Sequence, residues 1–125
     1  MTVQGMPAHE LQDAIQSCLY LGIKVEEMPI TLGCKNRGGL SVEDLARELT
    51  LCKDEIVADR CKRIITIKTC LYKRFKKNEQ RLHLWLTFGR KEFRGATARA
   101  MMVSERVSDL KIAESLAKNP HSPYQ

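Results

Sequence analysis

A chain of 125 residues is of single-domain size, and 43% hydrophobic with 29% charged residues fits a globular rather than a disordered protein. No apolar run approaches the roughly 20 residues that span a bilayer. The first residues also lack a basic segment followed by an apolar one, which argues against a secretory signal. We therefore expect a cytoplasmic protein without a membrane-spanning helix.

The net charge of +6 is unevenly distributed along the chain. Residues 1–59 contain five Lys or Arg against ten Asp or Glu, whereas residues 60–99 contain thirteen against two. A basic segment of this density makes a polyanion the first candidate partner, either a nucleic acid or an anionic membrane surface. The alternative is a solvated basic face without a partner.

The N-terminal part of the chain predicts one clear helix and one less regular segment. Apolar residues at helical spacing predict a helix over residues 8–21, and Gly22 suits the position just past its end. Its apolar stripe consists of Leu11, Ile15, Cys18 and Leu19. Two short apolar–polar alternations, broken by Pro29, then predict an extended segment before a glycine-rich loop.

Ser41 marks the start of the next predicted helix. Its hydroxyl can accept an amide hydrogen bond of the first turn, and Asp44 three residues later completes a capping box. The buried face of this helix is expected to consist of Leu45, Ala46 and Leu49. Residues 50–53 are then short enough for a tight turn into a second helix.

The stretch D-L-A-R-E-L-T-L-C, from Asp44 to Cys52, resembles the pattern D-[LI]-A-x-x-[LF]-G-[LIV]-S of many bacterial helix-turn-helix regulators. Ala46 matches the small residue that lets the second helix approach closely, whereas Thr50 stands where Gly is usual. The layout of residues 40–95 is similar to that of the small enterobacterial regulators of the CaiF/GrlA type. This resemblance implies a winged helix-turn-helix fold and DNA binding.

The second helix is predicted from about Asp54 to Ile67. Asp54 and Glu55 suit the helix dipole at its N-terminus but repel phosphates, so this end is a poor reader of DNA. The cations that could reach DNA from this helix are Lys53, Arg60, Lys62 and Arg63.

Residues 69–75 and 81–88 predict two strands joined by the loop K-K-N-E-Q. In the second strand, four apolar residues from Leu82 to Phe88 alternate with polar positions and Trp85. A basic hairpin directly after a helix-turn-helix predicts a wing that contacts phosphates; the alternative is a charged edge that resists aggregation. The wing cations are Lys73, Arg74, Lys76, Lys77 and Arg81.

A second basic segment follows the hairpin, and a helix ends the chain. The segment supplies Arg90, Lys91 and Arg94 as further phosphate contacts. Apolar spacing predicts one long helix from about Thr97 to Lys118. Such a helix either packs on the first helix or pairs with its copy, and we favour a homodimer that reads two half-sites.

Five cysteines and three histidines form neither a C-x-x-C pair nor a zinc-ligand spacing. We therefore expect reduced, buried thiols and no metal or other cofactor. The sequence also contains no glycine-rich phosphate loop and no G-x-S-x-G elbow, so an enzyme is the least expected class.

The predicted fold class is mainly α with a small antiparallel β-hairpin (α+β), a winged helix-turn-helix with added N- and C-terminal helices. One domain would comprise an N-terminal helix and extended segment (8–35), the winged core (36–95), a C-terminal helix (96–119) and a tail (120–125). The predicted function is a transcription regulator that binds duplex DNA through the wing and the helix-turn-helix. A protein-interaction module is the alternative, favoured by the acidic first half, and RNA binding is the third possibility.

Overall fold

The computed structural model describes residues 8–34, 41–51, 55–76, 78–89 and 94–118. The regular secondary structure in these ranges is helical, and none of the described residues lies in a β-strand. The elements are α1 (Ala8–Tyr20), a 3-10 turn (Val25–Glu27), α2 (Met28–Thr31), α3 (Val42–Leu51), α4 (Glu55–Phe75), α5 (Glu79–Thr87), α6 (Ala98–Met102) and α7 (Val107–Lys118). The predicted α+β class with a β-hairpin is therefore wrong.

α4 is the central helix of the packing. It contacts α1 and α7, while α3 lies against α1, and α5 and α6 pack against each other. Its 21 residues correspond to about 31 Å of helix. Its buried side consists of Val57, Arg60, Cys61, Ile64, Ile67, Leu71 and Phe75. The opposite side of α4 is left exposed along most of its length.

α1 confirms the first predicted helix. Leu11, Ile15 and Cys18 are at most 1% exposed, so the predicted apolar stripe faces the core. Leu19, which completed the predicted stripe, is 46% exposed. Gly22 follows the helix with φ of 76°, a left-handed conformation that suits glycine at this position.

The segment after α1 is helical rather than extended, so this prediction is wrong. The Glu27 carboxylate accepts a hydrogen bond from the Lys24 amide at 3.0 Å, which starts the 3-10 turn. Pro29 lies in the first turn of α2, where its missing amide hydrogen costs no helical hydrogen bond. Because Met28 and Leu32 are both buried, one helical turn faces the core.

α3 begins where the capping signal predicts. The Asp44 amide donates to the Ser41 hydroxyl oxygen at 3.1 Å, and Leu45 and Leu49 are buried. Thr50 and Leu51, the first half of the predicted tight turn, still belong to α3, so the turn does not begin where predicted. Cys52 and Lys53, its second half, lie outside the described residues.

The first predicted strand, residues 69–75, forms the last two turns of α4. Leu71 and Phe75 are buried, and they continue the three- and four-residue spacing set by Ile64 and Ile67. The strand prediction interprets the sequence of residues 69–75 with the two-residue period of a strand. Burial along one side of a continuous helix shows that the 3.6-residue period of a helix applies instead. The predicted helix end at Ile67 is therefore eight residues too early.

A helical corner takes the place of the predicted hairpin loop. Lys76 ends α4 with φ of 39°, and the Asn78 amide donates to the Phe75 carbonyl oxygen at 2.6 Å. The Asn78 side chain then accepts a hydrogen bond from the Arg81 amide at 3.1 Å and caps α5. Asn is a favoured residue at this position of a helix.

The second predicted strand, residues 81–88, is mostly α5. Leu82, Trp85 and Leu86 are buried, at helical spacing, whereas Leu84 is 57% exposed. The strand prediction puts Leu82, Leu84 and Leu86 on one buried face, and this is wrong for Leu84. In so short a segment both periods fit the sequence, and packing against α4 and α6 selects the helix.

Two helices replace the single helix predicted over residues 97–118. The Thr97 side chain caps α6, so the predicted start is correct. α6 ends at Met102, because the Arg60 guanidinium donates to the carbonyl oxygens of Met102 (3.3 Å) and Ser104 (2.7 Å). A continuous helix would need these carbonyls for its own hydrogen bonds.

The buried apolar residues of these helices form one hydrophobic cluster. It includes Trp85 of α5 and Leu110 of α7 as well as the inner faces of α1, α3 and α4. Among the described helices, none has the length and apolar character needed to cross a membrane.

Candidate nucleic-acid interface

The predicted DNA-binding cations separate into three groups. Four lie outside the described residues: Lys53, Lys77, Arg90 and Lys91. Three are turned toward other helices: Arg60, Arg63 and Arg74. Five are exposed: Lys62, Lys73, Lys76, Arg81 and Arg94. The wing that would have gathered several of them does not form, so the site must be built from helix surfaces.

Arg60 is a buried structural residue rather than a DNA contact. It is 2% exposed, and its Nε donates to the Thr31 carbonyl oxygen at 2.6 Å. The same guanidinium holds the carbonyls that follow α6. Burial lowers its pKa from the ordinary value, against the opposing effect of nearby Asp59. The side chain thus connects α2, α4 and α6, and it is not available to phosphates.

Arg63 and Arg74 connect α4 to α7. Arg63 donates to Asp59 at 2.9 Å and to Glu114 at 2.5 Å. The hydrogen bond to Asp59 is the largest contribution that raises the pKa of Arg63. Arg74 donates to the Ala117 carbonyl oxygen at 2.8 Å, and burial lowers its pKa. Both guanidinium groups are therefore committed to the fold.

The outer side of α4 carries a polar stripe without acidic residues. We define the α4 stripe as Lys62, Thr66, Thr69, Lys73 and Lys76, whose spacing of four and three residues keeps them on one side. Residues 62–76 contain six cations and no Asp or Glu. The stripe extends over about 21 Å at 1.5 Å per residue.

The lysines of the α4 stripe are exposed, and its threonines are short spacers between them. The hydroxyls of Thr66 and Thr69 donate to the helix carbonyls four residues earlier, at 2.9 and 2.8 Å. A rod-shaped polyanion can therefore approach α4 closely between Lys62 and Lys73. Lysine ammonium groups at such a surface are favourable partners for phosphates.

The N-terminal end of α4 has the opposite charge. Glu55 is exposed, and Asp59 is half-exposed while paired with Arg63. These acids stabilise the helix end through the dipole. They also repel phosphates, as the sequence predicts for this end of the helix. The exposed positive charge of α4 therefore begins at Lys62.

A tyrosine pair lies beside the α4 stripe. The rings of Tyr20 and Tyr72 meet edge to face, with centroids 6.0 Å apart and an angle of 60° between planes. The Lys68 ammonium lies 5.1 Å from the Tyr72 centroid and 5.9 Å from that of Tyr20. Tyr72 is 54% exposed. The edge of the cationic surface thus presents an ordered aromatic ring.

A cavity of about 350 Å³ opens next to the tyrosine pair, lined by Tyr20, Gly22, Glu79, Leu82, His83 and Leu86. The Tyr20 hydroxyl is buried and has no hydrogen-bond partner within the described part of the chain. Burial, then the proximity of Tyr72 and Glu79, raise the pKa of Tyr20. The lining combines apolar side chains with the carboxylate of Glu79 and the imidazole of His83.

The described cysteines are free thiols without a metal-binding arrangement. Cys18, Cys34 and Cys61 are buried, and Cys70 is half-buried. Burial, with a smaller effect of Cys61, raises the pKa of Cys18 to about 12. In the described ranges no three His, Cys, Asp or Glu side chains come together as metal ligands would.

Sequence reasoning missed the α4 stripe and the tyrosine pair. The stripe is visible in the spacing of Lys62, Thr66, Thr69, Lys73 and Lys76 once the helix is continued beyond Ile67. The contact between Tyr20 and Tyr72 joins two helices distant in sequence, and neither residue carries a local signal for it.

Comparison with known protein families, with characterised proteins and with solved structures finds no match for this chain.

Proposed function

We propose that the protein binds DNA through phosphate contacts along the α4 stripe, as part of a transcription regulator. The observation that supports this most directly is the exposure of Lys62 and Lys73 on α4 and of Lys76 directly after it, with no acidic residue between them. A solvated face of a soluble protein usually mixes both signs of charge. In α4 the acidic residues lie at the N-terminal end, and residues 62–76 contain only basic charged residues.

The dimensions of the α4 stripe suit a nucleic-acid backbone. Phosphates of one DNA strand follow at about 3.4 Å along the duplex axis, so about 21 Å of helix surface lies alongside several of them. Arg81 is exposed on α5, which packs against α4, and adds positive charge; Arg94 is exposed as well. Attraction between such a surface and DNA is largely independent of sequence and supplies much of the affinity.

α4 follows α3 in the chain, as a recognition helix follows the first helix of a helix-turn-helix, but α3 packs against α1. In the usual helix-turn-helix the N-terminal residues of the recognition helix contact bases. Here Glu55 and Asp59 occupy the corresponding end, so we expect the middle and C-terminal turns to contact the backbone instead. This mode gives modest discrimination between sequences, because phosphate contacts position the protein without reading bases.

Fluorescence anisotropy with a labelled duplex tests the proposal. The test variant carries Lys62→Ala, Lys73→Ala and Lys76→Ala together. The matched control carries Lys24→Ala, Arg106→Ala and Lys111→Ala, which remove the same charge from exposed positions outside α4. We expect the test variant to bind on the order of tenfold to a hundredfold more weakly, and the control to remain close to the unmodified protein. Equal losses in both variants would show that net charge alone is responsible.

A second candidate function is protein interaction through α5. Leu84 and Phe88 lie one helical turn apart and are 57% and 51% exposed. Such an apolar pair is complementary to its own copy, so a second copy of this chain is the expected partner. Sedimentation velocity should then show a dimer that Leu84→Ser weakens. A monomer at all concentrations would contradict this function and leave the DNA-binding proposal untouched.

A further inference from the structure

Tyr72 occupies a particular place relative to the α4 stripe. It follows Lys68 by one helical turn and precedes Lys76 by one turn, directly before Lys73 in sequence. These spacings put an aromatic ring at the edge of a surface that carries only positive charge between residues 62 and 76. With 54% of its surface exposed, the ring is accessible to a ligand.

The orientation of Tyr72 is restrained before any ligand arrives. Tyr20 packs against it edge to face at 6.0 Å, and the Lys68 ammonium lies 5.1 Å from its centroid. Tyr20 is itself half-buried and belongs to the packing of α1 against α4. A restrained aromatic ring loses little conformational entropy on binding, which favours its use as a contact residue.

An aromatic ring among lysines is suited to a ligand that combines flat rings with negative charge. Nucleic acids have this chemistry, and stacking of a base on an aromatic side chain adds to phosphate contacts. In a closed duplex, however, the neighbouring base pairs cover the faces of every base except at the ends. Tyr72 can therefore stack only where a base is unpaired.

We propose that Tyr72 stacks on an unpaired base of a DNA strand whose phosphates lie along the α4 stripe. The inference rests on the proposed function and narrows its substrate class to DNA with at least one unpaired base. The lysines provide the sequence-independent attraction, and Tyr72 distinguishes open from closed DNA. Lys73 and Lys76, which flank Tyr72, hold the phosphates next to the stacked base.

The test uses two DNA probes of the same sequence, a closed duplex and a duplex with a short unpaired bubble that contains 2-aminopurine. We expect the unmodified protein to bind the bubble about tenfold more tightly than the closed duplex, and to quench the 2-aminopurine fluorescence. Tyr72→Ala should abolish this preference, whereas Tyr72→Phe should retain it because the ring is kept. Ile112→Ala, at an exposed apolar position of α7, is the matched control and should retain it as well.

Three outcomes would overturn the inference. They are equal affinity of the unmodified protein for both probes, an unchanged preference in Tyr72→Ala, and an equal loss of both affinities in Tyr72→Ala. Thermal unfolding of each variant identifies a loss of fold. If Tyr72→Ala loses its fold, Tyr72→Leu, which keeps a large apolar side chain without a ring, takes its place in the test. Failure of the proposed function has a different signature, because the lysine triple variant would then bind both probes as well as the unmodified protein does.

Discussion

The three arginines of α4 and its two exposed lysines lie on different sides of the same helix. Arg60, Arg63 and Arg74 reach carbonyls or carboxylates of neighbouring helices. Lys62 and Lys73 are exposed instead. The planar guanidinium donates several hydrogen bonds in a fixed geometry and is weakly hydrated, whereas the ammonium group is strongly hydrated. A count of cations along the sequence therefore mixes two groups with different roles.

Among the cations of α4, Arg60 is expected to have the largest effect on stability when it is replaced. Arg60→Ala should lower the free energy of unfolding by about 3–5 kcal/mol, because it leaves buried carbonyls without a donor and creates a cavity. Urea denaturation measures the change. Lys62→Ala is the neighbouring control and should stay within about 0.5 kcal/mol. Equal stability of the two variants would contradict the assignment of Arg60 to the fold.

The packing of α1 against α4, where Cys18 of α1 is buried, also predicts a loss of stability at alkaline pH. The pKa of Cys18 is raised from its ordinary value of 9.0 to about 12, so the folded state holds this proton more tightly than the unfolded state. Its contribution is fully present below pH 9 and is lost as the pH rises toward 12, by at most about 1.4 kcal/mol per unit. Urea denaturation between pH 8 and 11 should show this decline, and Cys18→Ala should reduce its slope. If the unfolding free energy of Cys18→Ala fell with pH as steeply as that of the unmodified protein, Cys18 would not be the cause of the decline.

A smaller effect is expected for the contact of Arg63 with Glu114. A double-mutant cycle with Arg63→Ala and Glu114→Ala should give a coupling energy of about 1 kcal/mol in urea denaturation. Glu114 is also paired with Lys118 at 3.4 Å, which limits the loss when Arg63 is removed. Arg47 and Asp44, an exposed pair at 3.7 Å, serve as the control cycle and should give a coupling near zero. Similar couplings in both cycles would remove the distinction between inner and outer cations.

The smallest effect is expected when an exposed lysine of α4 is replaced by arginine. Lys73→Arg keeps the charge at an exposed position, so both stability and DNA affinity should change little. Arg60→Lys should remain strongly destabilising, because an ammonium cannot reproduce the fork that reaches carbonyls of α2 and of the residues after α6. Thermal unfolding and anisotropy on both variants make the comparison. If Arg60→Lys were as stable as the unmodified protein, a positive charge alone, without the guanidinium geometry, would be sufficient at this buried position.

Several local features could be predicted from the sequence. The cap of Ser41 on α3 and the apolar stripe of α1 rely on residues close in the chain. The cap is found, and the stripe is found except for Leu19, which is exposed. The burial of Arg60 also carried a signal, because it lies three residues after Val57 and four before Ile64 on the apolar side of α4. The sequence could not show that a buried arginine would find acceptors there, because the carbonyls that accept its hydrogen bonds lie 29 and 44 residues away in the chain.

The predicted hairpin failed for a physical reason. Leu82, Leu84 and Leu86 alternate as in a strand, but Leu82, Trp85 and Leu86 also fit one side of a helix. Contacts of α5 with α4 and α6 decide between these periods, and they involve residues that the local pattern does not include. The site inherited this error, since the α4 stripe exists only if the helix continues to Phe75.

The dependence of DNA affinity on salt tests the central claim most directly. The slope of log affinity against log salt concentration reports the number of phosphates neutralised, at about 0.9 per contact. If Lys62, Lys73 and Lys76 each neutralise one phosphate, their triple alanine variant should have a slope shallower by about 2.7 than that of the unmodified protein. An unchanged slope in that variant would contradict the account.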